Sequence, residues 1–183
     1  MTDKKKLSLD FKNPNNWPSK IILYTVAMTK DISYQNLMNQ ETFTLTEENN
    51  NVFITGPIKK FDDCCGLLHD WLKKQAEEHL TPWMDKLSKQ YQMPYQKLSF
   101  RGQKSLWGSC SANQDISLNY KLLFLPARLV RYVLIHELCH TKVMGHSKDF
   151  WIEVDRYEPD YRRLRKELKH TDQYLPSWVS KFL

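Results

Sequence analysis

Residues 135–147, IHELCHTKVMGHS, constrain this chain more than any other segment. They place His136, Glu137 and His140 in an HExxH pattern and add His146 six positions later. On an α-helix, residues four apart share a face about 6 Å apart, so two imidazoles can converge on one cation with Glu137 beside them. His146 cannot reach that cation on an uninterrupted helix, because six residues at roughly 100° each turn it away and carry it about 9 Å along the axis. The helix must end first. Gly145 is where a left-handed stop costs least, and Ser147 offers a cap for a following helix with Asp149 in its first turn. Helix, glycine stop, third histidine and cap make a coherent three-histidine zinc site with an open fourth position, and Glu137 is placed as its general base. The competing reading, an accidental HExxH with a surface glutamate and core histidines, has to treat His146 as a second coincidence.

With 183 residues the chain is expected to form a single domain over residues 21–183, behind a loosely ordered arm at residues 1–20 that carries Pro14, Pro18 and several asparagines. Within the domain the pattern is strand-rich over 21–60, helical over 61–93, and sheet plus HExxH helix and C-terminal helices over 94–183. The lysine-rich opening is followed by polar sequence with no cleavage pattern, and no apolar run approaches a membrane span. These features predict a soluble, cytoplasmic protein without a membrane partner. Cys64, Cys65, Cys110 and Cys139 match no zinc-ribbon or redox spacing and read as reduced thiols. Cys139, inside HELCH, is the alternative fourth ligand of a closed, structural site.

The formal charge of +6 permits attraction to nucleic acid or acidic substrates without establishing it. Its densest cluster, YRRLRKELKH, repeats Tyr161, Leu164 and Leu168 at helical spacing. Arg162, Arg163, Arg165, Lys166 and Lys169 therefore read as the solvated side of an amphipathic helix.

Strands are expected in IILYTVAM, TFTLT and NVFIT, ended by Gly56 and Pro57. A long apolar stripe then runs through Leu68, Trp71 or Leu72, Ala76, Leu80, Trp83, Leu87 and Tyr91, with Pro82 expected to kink this helix or open a second one. KLSFRGQ and DISLNYKLLFL read as strands on either side of a WGSCSANQ connection, where Gly108 permits close backbone approach. Apolar residues on more than one face of the HExxH helix predict that it is buried. Two further helices are expected around 147–157 and 159–170, broken at Glu158 and Pro159.

The stretches KSLWGSCSANQDISLNY, PARLVRYVLIHELCHTKVMGHSKDFW and PDYRRLRKELK, in that order and spacing, resemble the YgjP-like metal-dependent hydrolases related to the WLM and SprT peptidases. The likeness runs from about Phe61 to His170. It implies an α+β, zincin-like fold: N-terminal strands and a small antiparallel sheet packed against a buried HExxH helix, with further C-terminal helices. It also implies that His136, His140 and His146 hold zinc and that Glu137 is the general base. Position 139 departs from the family, which more often has alanine there. Metzincins space their third histidine alike but place glycine where this chain has Val143, and no methionine follows Met144 to form their methionine turn.

The resulting expectation is a zinc-dependent hydrolase, a metallopeptidase acting on peptide or protein, although histidine sites accept other divalent transition metals. One alternative is a metal-dependent nucleotide hydrolase cutting a phosphoanhydride; against it stands the lack of a glycine-rich phosphate loop. Another is a nucleic-acid-associated module with a structural zinc. Tyr120, Tyr132, Tyr157 and Asn119 are unranked candidates for stabilising an oxyanion. Ser109 or Cys110 as nucleophile is disfavoured where a metal already activates water.

Overall fold

A computed structural model describes residues 17–181, so the arm expected at residues 1–20 falls almost wholly outside it. The architecture is α+β. Its described part divides into two compact units, one of residues 17–22 and 29–68, the other of residues 23–28 and 69–181.

The first unit rests on a sheet of β1 (Lys20–Leu23), β2 (Met28–Asn36), β3 (Thr44–Glu48) and β4 (Asn51–Gly56), in the order β1-β2-β4-β3. β2 and β4 are parallel and β3 and β4 antiparallel. Strict alternation buries Ile32 and Tyr34 from β2 and Val52 and Ile54 from β4. The Tyr34 hydroxyl donates to the Pro18 carbonyl at 2.9 Å. Of the expected strand IILYTVAM, only the two ends are strand. Tyr24–Val26 form a 3-10 turn closed by Ala27 at φ 50°.

α1 (Phe61–Tyr91) passes through Pro82 without ending. Pro82 is exposed whereas Leu80, Met84 and Leu87 are buried, so the missing amide bond falls on the solvent side of the helix, where its loss costs least.

In the second unit β5 (Lys97–Arg101), β6 (Gly108–Cys110) and β7 (Asp115–Asn119) form a sheet in the order β5-β7-β6. This corrects two expectations. The WGSCSANQ connection contains a strand, and the small sheet is mixed: β6 pairs antiparallel with β7, but β5 pairs parallel with it. β6 and β7 make a hairpin, which fixes their directions as opposite, while residues 102–107 carry the chain past β7 and leave β5 parallel to it. The rest of the apolar run, Tyr120–Phe124, turns into a 3-10 helix capped by the Asn119 side chain, which accepts from the Lys121 amide.

α2 (Ala127–Cys139) packs against β6, α3 (Lys148–Tyr157) and α4 (Tyr161–Glu167), and its side chains are buried on nearly every face. A short α5 (Ser177–Lys181) follows. None of the four cysteines is in a disulfide, and burial is the main cause that raises each thiol above its ordinary range. Among the described residues no helix is long and apolar enough to cross a membrane.

Candidate metal centre and its cleft

Leu129, Val133 and Leu134 anchor α2 in the core, and its last turn presents His136, Glu137 and, at the C-cap, His140. The backbone then tightens: the amides of Thr141 and Val143 donate to the carbonyls of Leu138 and Cys139, and Gly145 adopts φ 76°. Ser147 caps α3 by accepting from the Phe150 amide at 3.3 Å. The stop, the turn and the cap required by the sequence are all present, and they bring His146 back to the cluster. No atom would contact a Cβ at Gly145, so the backbone angle alone opposes substitution. Gly145→Ala is expected to cost about 1–2 kcal/mol and to weaken metal binding, as thermal melts with and without zinc will show; an unchanged zinc increment would remove the angle's importance for His146.

The Nε2 atoms of His140 and His146 lie 3.3 and 3.1 Å from Nε2 of His136. One candidate donor from each histidine lies within 4.8 Å of the others. A tetrahedral ion with metal–nitrogen bonds of about 2.0–2.1 Å separates its ligands by about 3.3–3.4 Å, so this spacing suits a divalent transition metal. Nδ1 of His140 lies 3.2 Å from the Val143 carbonyl. Donation from that nitrogen makes Nε2 the lone-pair atom turned towards its neighbours. Burial first, then the charges of His140, His146 and Arg165, push His136 down to about 3. Burial likewise lowers His140. Neutral imidazoles with opposed lone pairs are a donor set that a cation reconciles.

Glu137 is buried, its Oε2 has no hydrogen-bond partner, and burial pushes its carboxyl up to about 8. β6 lies directly over it. A Cβ on Gly108 would stand 2.6 Å from Glu137 Oε1 and 2.8 Å from its Cγ. The close approach expected at Gly108 is therefore an approach to the carboxyl group itself.

Aromatic rings hold the histidines. Phe150, fully buried, stacks on His140 at 4.2 Å and meets His136 and His146 edge-on at 4.9 and 5.0 Å. Trp151 stacks on His146 at 5.5 Å and on Tyr161 at 5.3 Å, with the Arg165 guanidinium 4.6 Å over its ring. Sequence reasoning missed Phe150 as a support, although its place in the first turn behind Ser147 was a signal. Across the turn, Lys142 Nζ donates to Glu153 Oε1 at 2.9 Å and lies 3.1 Å from the Tyr157 hydroxyl.

These groups open onto a cleft of about 790 Å³. The structure sorts the remaining candidates. Tyr120 is bonded to His69 at 2.6 Å, and Tyr157 meets Lys142; neither lines the cleft. Asn119 lines it, but its amide donates to the Gln103 and Leu106 carbonyls at 2.8 Å while its oxygen accepts from Lys121. Tyr132 lines it one turn before His136, 5.9 Å ring to ring. Cys139 is absent from the donor cluster, its thiol pushed up to about 12 mainly by burial. Cys110 lines the cleft as a thiol pushed up to about 11, first by burial and then by Glu137 and Asp115, which disfavours a thiolate nucleophile.

The family model described as "YgjP-like, metallopeptidase domain" matches residues 18–171. No curated protein matches the chain. Among solved structures, the metallopeptidase zymogen of Pyrococcus abyssi abylysin is similar at 28% identity, over 57% of this chain and 94% of that one, with a TM-score of 0.41.

Proposed function

Because the chain belongs to the YgjP-like family of metallopeptidase domains, we propose that it is a zinc-dependent peptidase acting on peptides or proteins. His136, His140 and His146 are its ligands and Glu137 its general base. The observation that carries this reading is the convergence of three imidazole Nε2 atoms beside a buried carboxyl group with an unpartnered oxygen.

A divalent ion held by the histidines supplies Lewis acidity, which polarises a carbonyl and acidifies water. The protein's own groups do the rest. The Val143 carbonyl fixes the His140 tautomer, and Phe150 fixes the ring. Glu137 takes the proton of the attacking water at a carboxylate oxygen and passes it to the leaving nitrogen. Burial raises its proton affinity, which suits a carboxylate that has to hold a proton between attack and departure of the leaving group. Tyr132, whose hydroxyl makes no hydrogen bond among the described residues, is the candidate that polarises the developing oxyanion, with Arg165 adding positive charge nearby. A reducing, cytoplasmic setting suits its four cysteines, none of which is in a disulfide.

The test is a zinc-loaded preparation assayed on an unfolded protein and on a nucleotide panel. One ion per chain is expected, with peptide cleavage that a chelator stops and zinc restores. Nucleotide hydrolysis without peptide cleavage would overturn the reading in favour of phosphoanhydride chemistry. A fourth protein ligand in the X-ray absorption spectrum would replace it with a structural zinc.

A further inference from the structure

Peptide hydrolysis by three histidines and a glutamate does not require the charge pattern of this cleft. Lys104, Lys121, Arg165 and Lys169 line it, against the carboxyl groups of Glu137 and Asp172. Among the described residues none of these four cations stands in an ion pair. Lys121 is the unusual one. It is only 4% exposed, and its ammonium donates to one neutral acceptor, the Gln103 carbonyl, at 3.0 Å. An ammonium has three N–H donors, and burying one without a counter-charge is costly. The neighbouring Gln103 side chain also leaves Oε1 buried and unpartnered. A buried cation short of partners on the wall of a catalytic cleft is what an anionic group of the substrate completes.

We propose that the cleft carries a carboxylate subsite centred on Lys121, so that the preferred substrates are peptides with an acidic side chain or a free C-terminal carboxylate beside the scissile bond. The proposal rests on the peptidase reading above. Lys104 and Lys169, exposed on the rim, draw an acidic peptide in at long range. Leu106, Met144, Leu168 and Leu175 give the same cleft apolar walls, which fit peptide side chains. Asp172 and the Gln103 carbonyl oppose a polyphosphate, whose several charges would face them, more than a single carboxylate.

The experiment uses zinc-loaded Glu137→Gln protein, which binds without turnover, and matched peptides: internal Glu against Gln, and a free C-terminus against its amide. Trp107 lies in the cleft and reports binding by fluorescence, with calorimetry as a second readout. At least one carboxylate peptide is expected to bind about tenfold tighter than its neutral match, and the arm that does so identifies the source of the carboxylate. Lys121→Met should abolish that preference and Lys121→Arg should retain part of it. Should Lys121→Met fail to fold, the exposed Lys169→Gln should still lower the affinity for the acidic peptide at low salt and leave the neutral peptide unaffected. Equal binding of all four peptides, an undiminished preference in Lys121→Met, or tighter binding of inorganic triphosphate than of any peptide would each overturn the proposal. Cleavage by the wild-type protein with no such preference sinks the subsite and spares the peptidase reading. A carboxylate preference in binding without cleavage does the reverse.

Discussion

Glu137→Gln is expected to lower peptide hydrolysis by about 10²–10⁴-fold, the range a positioned general base contributes, while the protein still binds one metal ion per chain. The substitution keeps the side-chain shape and the three imidazoles, so loss of metal would assign Glu137 a structural task instead. The same change should stabilise the metal-free protein in a pH-dependent manner. Burial raises the folded carboxyl from its ordinary 4.5 to about 8. Such a group contributes its full stability below pH 4.5 and loses it as pH rises through about 8. Glutamine avoids that loss. His136 has the opposite sign: held down to about 3, it contributes fully above pH 6.5, and its contribution is lost as pH falls towards 3. Both proteins share this acid limb, so the difference between them isolates Glu137. Thermal melts of metal-free protein should show the variant ahead of wild type by several degrees at pH 8, for a gain of at most a few kcal/mol, and level with it near pH 4.5. A variant less stable than wild type at pH 8 would falsify the view that burial without a partner raises this carboxyl.

Gly108→Ala should lower kcat by about 10²-fold through one methyl group, the scale of loss expected when a reacting group is misplaced by about 1 Å. The new Cβ falls inside contact distance of Glu137 Oε1, Cδ and Cγ. Swinging the carboxylate tip alone does not relieve the contact with Cγ, because Glu137 is fixed to a helix buried on nearly every face. Either the whole side chain leaves its place or β6 moves away from α2. Overpacking of this kind costs about 1–3 kcal/mol, so the protein should remain folded and keep its metal. The decisive comparison is metal content against turnover. Wild-type kcat in a folded Gly108→Ala protein rules out the carboxylate position seen here as the productive one.

The parts of this architecture that the sequence foretold are those set by neighbours along the chain. The HExxH face, the glycine stop at 145 and the Ser147 cap each depend on a few consecutive residues, and all three form. What escaped depends on distant partners. MTKDISYQN becomes the long strand β2 through parallel pairing with β4, and β5 becomes parallel to β7 only because the chain crosses to β6 first. Three residues of β6 are too few to show a period. YKLLF is buried at every position, which erases the alternation that separates a strand from a turn of helix. In the candidate site the converging residues were legible and their surroundings were not. The basic face of α4 is solvated at Arg162, Arg163 and Lys166 as expected, but Arg165 stacks on Trp151 and lines the cleft. Lys121 looked like one more residue of a strand.

The link between Lys142 and Glu153 has a kinetic consequence for the turn it spans. His146 stands on a short exposed segment, which by itself would fray on a fast timescale and release its imidazole independently of the other two. Glu153 is largely buried and also meets Arg156 at 2.9 Å. A latch on α3 thus ties down the residues just before the glycine, while the Ser147 cap ties down those just after it. With both ends held, the His146 segment is expected to open as a unit, when the Lys142–Glu153 pair breaks, instead of fraying residue by residue. On the metal-binding reading proposed above, release of a bound ion would then be timed by that opening as well as by the strength of its bonds to nitrogen.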